Sequence, residues 1–194
     1  MTKNFFRKIE TVISHPYKFF NAVKKEKSIA EVFRFYFVFV FLSIIINMIF
    51  ILPDFAKDNL DIPFLRYVLF VFVMVLFVLA VSALTALSSF IIYWMYHLLV
   101  RLFRGKERYT QTYKLIYAAT PLLIVLLIPF YGIFKFIFYP LFIIAAVDTL
   151  YIEFVGLQKL QNMKKNNAIA VIVISILITV WFLRLLITKG FISL

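Results

Sequence analysis

The sequence predicts an all-α polytopic integral membrane protein with five transmembrane helices, its N-terminus cytoplasmic and its C-terminus outside. Hydrophobic residues make up 64% of the 194 and charged residues only 15%, against roughly half and a quarter in soluble domains. The uncharged stretches are long enough to cross a bilayer, which takes about 20 residues of helix. The basic residues are also unevenly divided between the segments joining those stretches, as the positive-inside rule requires. An ordinary soluble domain is therefore excluded, and so is a disordered chain, which needs low hydrophobicity. With no cysteine, disulfides, thiolate metal sites and cysteine nucleophiles are excluded too.

The chain opens on a basic amphipathic segment. Phe5, Ile9, Val12 and Ile13 share one helical face with Phe6 beside them, and Lys3, Arg7, Lys8 and Glu10 take the rest. Such a helix is too short to span and suits the membrane interface. His15-Pro16 interrupts it, and a second basic stretch runs from Tyr17 to Lys25. Ser28-Ile29-Ala30-Glu31 then reads as a capping box that starts the first spanning helix. Residues 1–27 form the interfacial segment and 28–194 the transmembrane domain.

Five spans follow, at about 35–53, 67–100, 115–131, 136–157 and 167–183. The second is long enough to be two. A hairpin near residues 80–90 would carry Arg101, Arg104, Lys106 and Arg108 to the outer side, against the positive-inside rule. One long helix is therefore expected, with Pro63 in its first turn and Asp61 as its cap. The third and fourth spans contain Pro121, Pro129 and Pro140, so 115–157 reads as a kinked hairpin turning at Tyr131–Lys135. In this arrangement the inner segments hold sixteen Lys/Arg against four acids, and the outer segments five. The net charge of +12 would suggest nucleic acid in a soluble protein. Here it belongs to one face of a membrane, and no nucleic-acid partner is expected.

One intramembrane residue stands out. Asp148 falls near the midpoint of the fourth span, where a charge costs at least about 2.5–3.5 kcal/mol unless it faces protein or water. On the second span Ser82, Thr85, Ser89, Tyr93 and Tyr96 lie on one helical face. The expected arrangement is Asp148 hydrogen-bonded to that stripe, either as interhelical glue or as a proton or cation site. Glu153, five residues on, projects about 140° away and is expected at the inner interface. No His-Glu-x-x-His motif, ligand cluster or phosphate-cradling loop is present, so neither metal nor cofactor is expected.

Three stretches resemble the prokaryotic members of the Yip (Ypt/Rab-interacting protein) domain family. They are His15-Pro16-Tyr17-Lys18-Phe19-Phe20; Tyr117-Ala118-Ala119-Thr120-Pro121 with Pro129 eight residues later; and Gly156-Leu157-Gln158-Lys159-Leu160-Gln161 leading to Asn167-Ala168-Ile169-Ala170. The resemblance covers about 11–183 and implies a five-span topology with a cytoplasmic N-terminus. It also implies residence in the cytoplasmic membrane of a prokaryote. Eukaryotic relatives associate with Rab-type GTPases; their Asp-Leu-Tyr-Gly-Pro motif is missing here, and GTPase binding is not carried over. The reading is of a non-enzymatic membrane-organising or interaction protein. Lys3, Arg7, Lys8, Arg101, Arg104, Lys106 and Arg108 would contact anionic lipid, or the basic face would meet a protein partner. The alternative is a small transporter or channel subunit using Asp148 and the Ser/Thr/Tyr stripe.

Overall fold

Apolar helices dominate the computed structural model, which describes residues 2–26, 28–57, 64–129 and 134–188. Two short helices, α1 (Thr2–Ser14) and α2 (Pro16–Lys24), precede the long α3 (Ala30–Lys57) and α4 (Phe64–Leu102). A short α5 (Tyr109–Tyr113), a 3₁₀ turn (Lys114–Ala119) and α6 (Thr120–Val125) follow, and α7 (Lys135–Leu160) and α8 (Lys165–Thr188) complete the chain. Among the described residues four helices are long and apolar enough to cross a membrane, over 30–50, 71–102, 135–160 and 165–188. α4 is unbroken, as its charge distribution requires; its 39 residues span roughly 58 Å at ~1.5 Å per residue. Asp61, Pro63 and the Tyr131–Ile133 part of the expected outer turn lie outside the described residues.

The third expected span, 115–131, is not one helix. Proline at 121 cannot donate to the Tyr117 carbonyl four residues back. The chain instead tightens into the 3₁₀ turn and restarts with Pro121 in the first turn of α6, where a missing amide hydrogen is harmless. The Thr120 backbone amide and its Oγ1, the latter at 2.6 Å, donate to the Tyr117 carbonyl in the proline's place. At the far end, the Leu126 carbonyl accepts from Ser43 Oγ at 2.7 Å and Asn47 Nδ2 at 3.2 Å, both on α3. Broken backbone at membrane depth is tolerated only when buried in protein. Here residues 112–118 are all buried, as are Thr120, Pro121, Leu123 and Val125. The segment that composition marks as a lipid-facing helix is the centre of the molecule.

The same segment travels along α3. Tyr117 packs on Phe35 with ring centroids 4.9 Å apart, Leu126 lies beside Ser43 and Asn47, and Phe134 meets Phe50 at 5.4 Å. From 35 to 50 is roughly 22 Å of helix. Around this core, α2 packs along α7, and α3 lies against α4. α8 leans on α7 and, more lightly, on α4. α7 runs through Pro140 without a break.

The N-terminal helices divide their apolar residues between two surroundings. Val12, Phe19, Phe20 and Val23 are buried with Tyr117, Leu157 and Leu160. Ile13, assigned from sequence to the same face as Val12, and Phe6 beside that face stay exposed. Ser28 caps α3 through its Oγ, which accepts from the Ala30 amide at 3.1 Å. The other half of the expected capping box does not form, because the Glu31 carboxylate accepts from Lys8 Nζ at 2.6 Å.

α4 ends in a Schellman closure. The Gly105 amide donates to the Val100 carbonyl at 2.8 Å and the Arg104 amide to the Arg101 carbonyl at 3.0 Å. The left-handed residue is Arg104, with φ 65°, rather than the glycine after it. Arg104→Gly is therefore expected to raise stability by about 1 kcal/mol. Gly105→Ala is expected to lower it, since an added Cβ would sit 2.9 Å from the Val100 carbonyl oxygen. Unfolding midpoints of the two variants in detergent should move in opposite directions.

Candidate functional site: a polar junction on the basic end of the bundle

The basic ends of α2, α4, α7 and α8 meet at a junction closed by α5 and the loop before it. Lys114, at the start of the 3₁₀ turn, is fully buried there. Its ammonium donates to the carbonyls of Val23 at 2.8 Å, Glu26 at 2.5 Å and Lys24 at 3.5 Å, and to Gln111 Oε1 at 3.3 Å. The three carbonyls lie at and just beyond the C-terminus of α2, the negative end of its dipole, where a cation is stabilising. Burial pulls the Lys114 ammonium below the usual lysine range, and the Glu26 carboxylate partly restores it. Sequence alone marked this residue only as one more inner-side charge. Its place next to the apolar run 115–131 was the available signal.

A second layer ties the helix ends together. Lys24 pairs with Glu107 Oε1 at 3.0 Å and donates to the Lys159 carbonyl at 3.0 Å and Asn162 Oδ1 at 2.9 Å. Asn162 Nδ2 donates to the same Glu107 oxygen at 2.6 Å. Behind them, Thr112 Oγ1 lies 2.6 Å from His97 Nδ1 and accepts from the buried Gln161 Nε2 at 2.9 Å. Asn167 Nδ2 reaches the Phe103 carbonyl at 3.0 Å. Most of these contacts lie at helix ends, where backbone groups are left without intrahelical partners.

The three stretches that carry the family resemblance converge on this junction. Phe19 packs edge-on to Tyr117 at 5.0 Å, and Tyr117 in turn on Phe35. Gly156 permits the approach, since a Cβ there would meet Leu115 Cδ2 at 2.6 Å and the Phe20 ring at 3.1 Å. Lys159 stands 3.6 Å from the centre of the Tyr17 ring, and its hydrogen bond and positive charge lower the Tyr17 phenol from its ordinary value.

Lys8 is held by α3 rather than offered to lipid. It lies 2.6 Å from Glu31 and 3.8 Å from Glu26. Burial lowers its ammonium, but the Glu31 hydrogen bond and the charges of Tyr117, Glu26 and Glu31 outweigh that and leave it raised. A cation raised in the fold contributes stability that is full at neutral pH and is lost as pH rises through the raised value. The α1–α3 contact should accordingly persist to strongly alkaline pH, and protease sensitivity of α1 measured across that range checks it. Among the other expected lipid contacts, Arg7, Arg101, Arg104, Lys106 and Arg108 are exposed. Arg101 also braces the loop through the Gly105 and Lys106 carbonyls at 3.3 and 3.4 Å. The side chain of Lys3 lies outside the described residues.

The expected pairing of Asp148 with the α4 stripe does not occur. Ser82, Thr85 and Ser89 donate back to carbonyls of their own helix at Val78, Val81 and Ala86. Ser89 also meets the Tyr113 hydroxyl at 3.0 Å, and Tyr93 packs on the Tyr113 ring at 5.8 Å. The stripe thus meets α5 at Ser89 and Tyr93 and α7 at Tyr96, without reaching Asp148. The carboxylate that reaches α4 is Glu153, which accepts from the Tyr96 hydroxyl at 2.5 Å. At 3.6 residues per turn the two acids point about 140° apart, so the rotation that brings Glu153 to α4 carries Asp148 away. Asp148 is exposed and makes no hydrogen bond or ion pair to any described residue. Glu153→Leu is expected to destabilise by about 1–3 kcal/mol, by leaving the Tyr96 hydroxyl without its acceptor. Asp148→Leu should cost the monomer nothing; paired detergent melts check the contrast. Among the described residues no group of three His, Cys, Asp or Glu is placed to hold a metal.

Long apolar helices around a buried broken segment, with a polar junction at one end, define a multi-pass helical membrane protein. The Yip1 domain family model matches residues 11–186, and the chain belongs to that family. Comparisons with curated proteins and with solved structures gave no match.

Proposed function

We propose that this protein is a non-enzymatic membrane-organising protein of a prokaryotic cytoplasmic membrane, whose basic inner face gathers anionic lipid. One observation supports the reading: three of the four acids of that face are paired within the fold, while its exposed cations form no ion pair among the described residues. Glu26 and Glu31 are engaged by Lys8 and Glu107 by Lys24. Arg34, Arg104, Lys106, Arg108, Lys164 and Lys165 are exposed and form no ion pair among the described residues. Each basic group near an anionic leaflet contributes about 1 kcal/mol of attraction. The broken segment supports a fifth crossing, because it follows α3 from the level of Phe35 to that of Asn47, and Phe134, at the start of α7, meets Phe50. Five crossings with the N-terminus inside gather the basic segments on one side, as the positive-inside rule requires.

The transport alternative has less to stand on. Asp148 and the α4 stripe do not meet, and Glu153 is engaged with Tyr96. A cleft of about 190 Å³ between α3 and α4 is lined entirely by apolar residues, among them Phe41, Met48, Met74 and Val78.

The lipid reading is tested by reconstitution into bilayers of mixed zwitterionic and anionic lipid. Lipids retained around the protein should be enriched in the anionic species, and the enrichment should fall with salt. Replacing Arg104, Lys106 and Arg108 together with glutamate should remove most of it. Equal retention by that variant and the native chain would overturn the reading.

A further inference from the structure

Asp148 occupies an expensive position without compensation. It lies at the middle of α7, a helix of 26 residues, on a surface that includes Ile144 (58% exposed) and Tyr151 (60% exposed). A carboxyl facing lipid at this depth is unfavourable whether charged or neutral, because hydrocarbon offers it no hydrogen bond. The described residues of a single chain supply none either. The residues around it follow a pattern: Ile137, Leu141, Ile144, Asp148 and Tyr151 recur at spacings of four, three, four and three, and all are exposed. That is the seam of a left-handed two-helix contact, in which one polar residue at a core position fixes register and copy number.

We infer that α7 is the contact helix of a homodimer, in which Asp148 of each copy accepts a hydrogen bond from Tyr151 of the other. The occupant is a second copy because the patch is self-complementary. It carries an acceptor and a hydroxyl donor on one seam, less than one turn apart. Two copies inserted with the same orientation are related by a two-fold axis along the membrane normal. Such an axis sets α7 parallel to its counterpart, with equal depths opposed, so that residue i meets j and j meets i. Asp148 and Tyr151, three residues apart, then come within reach of each other across the axis in both directions.

The absence of native cysteine makes the test direct. Single cysteines at Leu141 and Ile144 should form disulfide-linked dimers in native membranes. A cysteine at Tyr139, exposed on the other side of the helix, should not. Subunit counting in dilute liposomes should find dimers, and Asp148→Leu, which removes both symmetric bonds, should weaken them about 8- to 900-fold, the equivalent of two interhelical hydrogen bonds of ~0.6–2 kcal/mol each. Monomers at every dilution would overturn the proposal. So would dimers that cross-link equally through Tyr139→Cys, dimers indifferent to Asp148→Leu, or capture of Asp148 by a different membrane protein in place of a second copy.

Discussion

Replacing Lys114 with methionine is expected to lower the stability of the folded bundle by about 3 kcal/mol, the scale for removing one partner from a buried charged network. The substitution conserves the apolar stem and removes the ammonium nitrogen that reaches the Val23, Lys24 and Glu26 carbonyls together. Those carbonyls then lie against a buried apolar tip and lose hydrogen bonds that water does not replace. Unfolding in detergent, followed by tryptophan fluorescence, measures the loss. Lys106→Met, at an exposed neighbouring position, should change stability by less than about 0.5 kcal/mol. The pH dependence has a definite sign. Since burial depresses the Lys114 ammonium, the unfolded chain binds this proton more tightly than the folded one. Stability tied to the group therefore rises as pH climbs from the depressed value to the ordinary lysine range. That rise should be absent from Lys114→Met.

Gly156→Val should produce the second large effect, about 2 kcal/mol of destabilisation from overpacking. The new side chain would start 2.6 Å from Leu115 Cδ2 and 3.1 Å from the Phe20 ring. Leu115 can move its methyl group; Phe20 is fully buried and edge-on to Phe19, so α2 as a whole must shift off α7. Because α2 also ends on Lys114, the two substitutions act on one contact and their effects should not add. Limited proteolysis after α2, near Lys24–Lys25, reports the displacement. Cleavage as slow as in the native chain would show that Gly156 is not what admits α2.

Both residues show what one-dimensional reading sees and misses. Long apolar runs specified four spanning helices, and charge sidedness correctly kept α4 whole, because insertion is governed by hydropathy and Lys/Arg placement. The third span resisted the same treatment. Its composition is that of a lipid-facing helix, yet Pro121 removes the bond to Tyr117, and only Thr120 on the same turn and Ser43 and Asn47 on α3 make the broken path tenable. Composition carries no record of which neighbour supplies a hydrogen bond.

The choice between Asp148 and Glu153 failed for a related reason. In a soluble helix the polar face reveals the rotation, whereas α7 is apolar around most of its circumference and leaves the rotation to packing. Gly156 held the missing information: the close approach it allows to Leu115 and Phe20 fixes which side of α7 turns inward. The exposure of Arg104, Lys106 and Arg108 was legible because it is the default for such residues. Lys8 and Lys114 were not, since their partners are 23 and about 90 residues away in the chain.

The central claim is that the broken segment carries the chain across the membrane, so that the basic segments share one side and α8 ends on the other. Single cysteines at Ser14, Lys106 and Thr188 in this cysteine-free chain, probed with a membrane-impermeant maleimide in sealed vesicles of known orientation, measure it directly. Five crossings predict that Ser14→Cys and Lys106→Cys react only from the cytoplasmic side and Thr188→Cys only from the opposite one. Reaction of Thr188→Cys from the same side as Ser14→Cys would contradict the account.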